Sequence, residues 1–118
     1  MVLYFRTKRL SKQCNHQKDG IRALGQVGAG KLRQRLAELN AATRLADLSR
    51  LPPTRCHELT GDRAGQLSVD LQHPYRLLFI PANVPVPRRA DGGLDWAGVT
   101  EIEIIEIADT HYAVVIRL

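Results

Sequence analysis

Histidine is the side chain best suited to moving a proton near neutral pH, and this chain has four: His16, His57, His73 and His111. His16 lies in a polar, basic stretch and reads as solvated. His73 precedes Pro74 in an apparent hairpin turn, where a turn role is expected before a chemical one. His57 and His111 differ, because each lies on or beside a strand-like segment next to carboxylates. Such a pair, with arginines in reach, has the residue types of an acid/base couple around a phosphate.

The run Asp109-Thr110-His111-Tyr112 adds geometry to this reading. Side chains alternate along an extended strand, so Asp109 and His111 share one face and Thr110 and Tyr112 the other. An Asp beside a His orients the ring and favours its protonated form, which suits a general acid. Arg63 follows the Gly61-Asp62 turn, and Arg76 interrupts an otherwise apolar run. A charged residue in such a run must be paired or open onto a site; for Arg76 the alternatives are a structural pair with Asp70 and a phosphate ligand.

Other chemistries are disfavoured. Asp109, His111 and His57 supply too few convergent ligands for a metal, and no HxxE or CxxC spacing is present. There is no Gly-x-Ser-x-Gly elbow, and neighbouring strand residues such as Cys56 and His57 point to opposite faces, which argues against acyl transfer. No Walker or Rossmann phosphate loop occurs, so no cofactor is expected.

The elements that must position these residues divide into a helical and a strand-rich half. Residues 2–6 read as a first strand, and Thr7 to Asp19 as one short helical turn followed by a loop. Ile21, Leu24, Gly28, Leu32, Leu36 and Leu39 recur every three or four residues, placing them on one helix face. Gly25, Gly28 and Gly30 weaken the start, so the firm helix is expected over residues 30–42, with Arg35 near the edge of its apolar stripe. A short helical segment over Ala42 to Leu48 precedes Pro52-Pro53. Cys56 to Leu59, Gln66 to Leu71, Tyr75 to Ile80 and Thr100 to Asp109 read as strands, with Tyr75 to Ile80 central. The last changes apolar phase between Ile104 and Ile105, which implies a bulge or burial on both faces. Residues 81–98 form an excursion that Trp96 is available to pin. This order predicts an α+β fold, an antiparallel sheet with N-terminal helices packed on one face, in a single domain over residues 1–118.

Charge is unevenly spread over the 118 residues. Residues 1–50 carry 11 of the 17 Lys and Arg but 3 of the 12 Asp and Glu. Such a basic half is the electrostatic footprint of a polyanion or acidic partner, or else a solvated basic face. The low aromatic content, 5%, argues against a binder that stacks successive bases along a strand. A chain of this size buries roughly two-thirds of its unfolded surface and folds without staples, and Cys14 and Cys56 have neither the number nor the spacing of a disulfide framework. With no signal-like or membrane-spanning run, a reduced cytoplasmic location is expected.

The segment Cys56-His57-Glu58-Leu59-Thr60-Gly61-Asp62-Arg63-Ala64-Gly65-Gln66-Leu67-Ser68-Val69, followed by His73-Pro74-Tyr75-Arg76-Leu77-Leu78-Phe79 and the closing Glu106-Ile107-Ala108-Asp109, resembles the HigB-like killer proteins of the RelE/ParE toxin superfamily. The resemblance covers roughly residues 30–112, with a longer loop over residues 81–98. It implies a RelE-like fold and the toxin of a type II toxin–antitoxin pair. It further implies metal-independent mRNA cleavage on the ribosome, with the RNA 2′-hydroxyl as internal nucleophile. A helix-turn-helix antitoxin is the implied protein partner. Catalytic positions carry over onto His57, Arg76, Asp109 and His111, and substrate-binding ones onto Arg63 and Tyr112. The chain departs from the family pattern at Thr60, where Lys is usual, and at Thr110, where Tyr is usual. Those departures define an alternative, a homologue that binds antitoxin or ribosome without cleaving; a ParE-like gyrase inhibitor is a third reading on the same fold.

Overall fold

The computed structural model describes residues 1–109. The expectations placed on Thr110, His111 and Tyr112 therefore lie outside the described residues. The elements run β1 (Val2–Phe5), α1 (Lys8–Asn15), α2 (Gln17–Ala41), β2 (His57–Glu58), β3 (Leu67–Asp70), β4 (Tyr75–Pro81) and β5 (Glu101–Asp109). They form one five-stranded sheet in the order β1-β5-β4-β3-β2, with β4 central as its apolar run predicts. All neighbours are antiparallel except β1, which pairs parallel with β5. The antiparallel sheet with helices on one face expected from sequence is present, with one parallel neighbour added at its edge. Parallel neighbours need a long crossover, and the chain between β1 and β5 contains both helices and three strands.

The polar stretch after β1 forms more structure than a single turn. Thr7 caps α1, its Oγ1 accepting the backbone N–H of Leu10 at 3.1 Å, which satisfies one of the orphan donors at a helix start. Leu10 is buried, and tertiary contact of this kind stabilises a helix that its isolated sequence would not. α2 starts earlier than the glycine content suggests, at Gln17, but it is broken at Gly25, where φ is 75°. Beyond the break Gly28, Leu32, Arg35 and Leu39 are buried. Arg35 therefore belongs to the packed face; its Nε donates to the Asp70 carbonyl at 2.9 Å and its Nη1 to Glu38 at 2.8 Å. The segment after α2 contains a single 3-10 turn at Leu45–Asp47.

Both helices lie on one face of the sheet. There Leu10, Leu32 and Leu39 join Leu67, Val69, Leu77, Phe79, Ile102 and Ile104 in the core. The phase change in β5 is a bulge: Leu78 pairs with Glu106 but Phe79 with Ile104, leaving Ile105 as the extra residue. The excursion before β5 folds back onto the core through Leu94, Trp96 and Val99. Trp96 pins it as expected, donating Nε1–H to Glu58 at 2.9 Å under the Arg50 guanidinium, 3.9 Å from the ring centroid. No helix among the described residues is long and apolar enough to cross a membrane.

Candidate functional site

On the face of the sheet opposite the helices, strand register lines up four residues in one row. His57 of β2 pairs with Ser68 of β3, Ser68 with Leu78 of β4, and Leu78 with Glu106 of β5. With neighbouring strands about 4.8 Å apart, the row spans roughly 14 Å. The next row on that face holds Asp70, Arg76 and Ala108. Arg63, in the 3-10 turn Gly61–Arg63, reaches the first row by donating to Glu106 at 3.2 Å. His57, Arg63 and Arg76 thus share the helix-free face.

His57 is held by its own backbone neighbourhood. Its Nδ1 lies 3.1 Å from the carbonyl oxygen of Arg55. A carbonyl oxygen only accepts, so the proton of the neutral ring sits on Nδ1 and Nε2 carries the lone pair. Arg55 itself has φ 49°, a left-handed conformation that costs a residue with a Cβ about 1–2 kcal/mol. Its side chain is anchored on Asp70, with Nε at 2.8 Å and Nη2 at 3.4 Å, and that hydrogen bond, with the attraction of the carboxylate, raises the Arg55 pKa further. Arg76 Nε approaches Asp70 Oδ1, the oxygen that Arg55 Nη2 also contacts, at 3.6 Å. Of the two alternatives for Arg76, the structure contains the pair with Asp70. One carboxylate therefore connects the segment that holds His57 to Arg76.

Asp109 is placed elsewhere. It pairs with Tyr75, whereas its neighbour Ala108 pairs with Arg76. Register puts Asp109 on the helix side of the sheet, opposite His57 and Arg76. The arrangement in which Asp109 orients a histidine with Arg76 alongside is not assembled by the described residues.

Three participants were not singled out from sequence. Arg55 carried no signal of its left-handed backbone, and Glu106 joined the site only through the bulge. Ser68, fully buried, has a side-chain hydroxyl with no hydrogen-bond partner among the described residues. As the polar member of an alternating strand it read as solvent-facing, which gave no warning of this. No group of three or more His, Cys, Asp or Glu among the described residues is placed to hold a metal ion. Chemically, the face offers a fixed imidazole base and two guanidinium groups, each shared with a carboxylate.

The architecture is an α+β fold, two helices on one face of a five-stranded, mostly antiparallel sheet. The chain is similar in structure to a YoeB/ParE toxin from Agrobacterium tumefaciens, with a TM-score of 0.55 over 92% of this chain and 98% of that one. Sequence identity is 14%, so the likeness is one of fold. No family model and no curated protein matches the sequence.

Proposed function

We propose that this chain is the toxin of a type II toxin–antitoxin pair, a cytoplasmic, metal-independent endoribonuclease that cuts mRNA on the ribosome and is silenced by a helix-turn-helix antitoxin. The observation that carries this reading is the placement of His57, Arg63 and Arg76 on the helix-free face of a sheet whose fold is shared, nearly end to end, with a solved toxin. In the proposed reaction His57 Nε2 takes the proton of an RNA 2′-hydroxyl. The 2′-oxygen attacks the adjacent phosphorus, and the bond to the 5′-oxygen breaks. Arg63 and Arg76 offset the charge that develops on the phosphoryl oxygens. A cyclic phosphate and a 5′-hydroxyl result once the leaving oxygen is protonated, a role assigned to His111 on the sequence resemblance alone, since Asp109 lies on the opposite face of the sheet. Tyr112 is assigned to substrate contact on the sequence resemblance.

Induced expression in a bacterial host should arrest growth and shorten mRNAs, and His57→Ala should abolish both, since a general base contributes about 10²–10⁴-fold. Equal growth arrest and the same cleavage pattern with His57→Ala would remove His57 from the reaction.

A second reading, binding to antitoxin or ribosome without cleavage, is favoured by one specific feature. Arg63 and Arg76 are already engaged by Glu106 and Asp70, so a phosphate must compete for both. Under this reading the wild type leaves mRNA intact and Thr110→Tyr creates or sharply raises cleavage. Loss of gyrase supercoiling in a purified assay would instead support the gyrase-directed alternative.

A further inference from the structure

A cleft lies on the other side of the sheet, where α1 and the start of α2 meet the ends of β4 and β5. Its volume is about 610 Å³, and Arg9, Lys12, Arg22, Leu24, Tyr75 and Ile107 are among its lining residues. Arg9 and Lys12 are three residues apart on α1, hence on one helix face. Neither has an ion-pair or hydrogen-bond partner among the described residues, unlike Arg6, Arg35, Arg44, Arg55, Arg63 and Arg76. Arg22 is held only loosely by Asp19, at 3.9 Å, and remains 76% exposed. α1 has no acidic residue in its first turn, and Lys8 and Arg9 there oppose the helix dipole, which favours negative charge at that end. Helix stabilisation therefore does not account for Lys8 and Arg9, although it does for Lys12, which lies in the last turn.

We propose that this cleft binds a single-stranded segment of RNA, its phosphates on Arg9, Lys12 and Arg22 and one base stacked on Tyr75. The proposal rests on the RNA-directed reading above and extends it to a second contact region. Tyr75 is 41% exposed at the cleft, and a π-face beside cations over an apolar floor of Leu24 and Ile107 suits a base and its phosphate better than an acidic peptide. Tyr75 and Arg76 are sequence neighbours on opposite faces of β4. A strand lying in the cleft thus needs only to turn round the end of the sheet to meet Arg76 on the helix-free face.

The test is fluorescence anisotropy with the full chain and a labelled 2′-O-methyl RNA dodecamer, which cannot be cut by 2′-oxygen attack. Three phosphate contacts give a salt slope near −2, or about a 20-fold loss of affinity between 50 and 200 mM salt. Arg9→Ala/Lys12→Ala should reduce that loss to about 3-fold, and Arg9→Lys/Lys12→Arg should restore it. Tyr75→Leu should weaken binding by about 10-fold without changing the salt slope. Circular dichroism shows that each variant is folded. Wild-type affinity and slope in folded Arg9→Ala/Lys12→Ala would overturn the proposal, as would a Glu-rich peptide binding the cleft more tightly than RNA. Salt-dependent RNA binding that survives in a chain which never cuts mRNA leaves the cleft standing and removes only the nuclease reading.

Discussion

At the scale of single residues, the candidate base is defined by what sits two positions before it. Arg55 holds a left-handed backbone, presents its carbonyl to His57 Nδ1, and is tied to Asp70 through its guanidinium. Strain of this sort persists only where surrounding contacts over-determine it. Arg55→Ala removes the Asp70 contact but keeps the strain, whereas Arg55→Gly removes both. Because both side chains are substantially exposed, the ion pair is worth no more than about 1 kcal/mol. Urea denaturation should therefore find the Gly variant about 1 kcal/mol more stable than the Ala variant; an Ala variant of equal or greater stability would show that the backbone is unstrained. The His57 tautomer is open to direct observation as well. Nitrogen chemical shifts of the neutral ring should report a proton on Nδ1, and a proton on Nε2 would exclude the base role assigned to that atom.

Elements set the distances between these residues. α1 and α2 approach closely at Gly20, where an added Cβ would lie 2.9 Å from the backbone carbonyl oxygen of Gln13. That oxygen belongs to helix backbone and cannot yield as a flexible side chain does. Gly20→Ala should cost about 1–3 kcal/mol by overpacking, read as a lower urea midpoint, and it should loosen the wall of the basic cleft. A midpoint equal to wild type would show that the two helices are not rigidly packed there. The break at Gly25 lets the first part of α2 follow α1 while the remainder crosses the core. In β5 the bulge at Ile105 performs a similar reorientation. It turns Glu106 to the helix-free face beside Arg63 and, three residues later, Asp109 to the helix side.

For the molecule as a whole, the two thiols report on the integrity of the core. Burial pushes Cys56 up to about 12 and Cys14 up to about 11. Cys56 is fully enclosed and Cys14 partly so. Both pKa values are raised above that of an exposed thiol, so the fold favours the neutral form. The associated stability is complete below about pH 9 and is lost as pH rises through the folded values. Urea midpoints should therefore fall between about pH 8 and pH 10.5, and a Cys14→Ala/Cys56→Ala variant should show a smaller fall. At neutral pH a thiol-specific disulfide reagent should label Cys56 only after unfolding, since the thiolate is the reactive species; rapid labelling of the native chain would contradict its burial.

Local pattern was enough for much of this architecture. The three-to-four spacing from Ile21 to Leu39 specified a helix, alternation and β-branched runs specified the strands, and the phase change at Ile104 and Ile105 marked the bulge. Those signals are carried by neighbours in the chain, where periodicity and side-chain direction are coupled. Sequence also brought forward His57, Arg63 and Arg76, because a histidine beside carboxylates and an arginine in an apolar strand are conspicuous wherever they fold. Pairing was another matter. The parallel partnership of β1 with β5, the burial of Arg35 against Asp70, and the gathering of Arg9, Lys12 and Tyr75 at one cleft depend on segments far apart in sequence. So does the placement of Asp109 and His57 on opposite faces: a one-residue register change reverses every side chain beyond it, and only the paired strands decide which register is adopted.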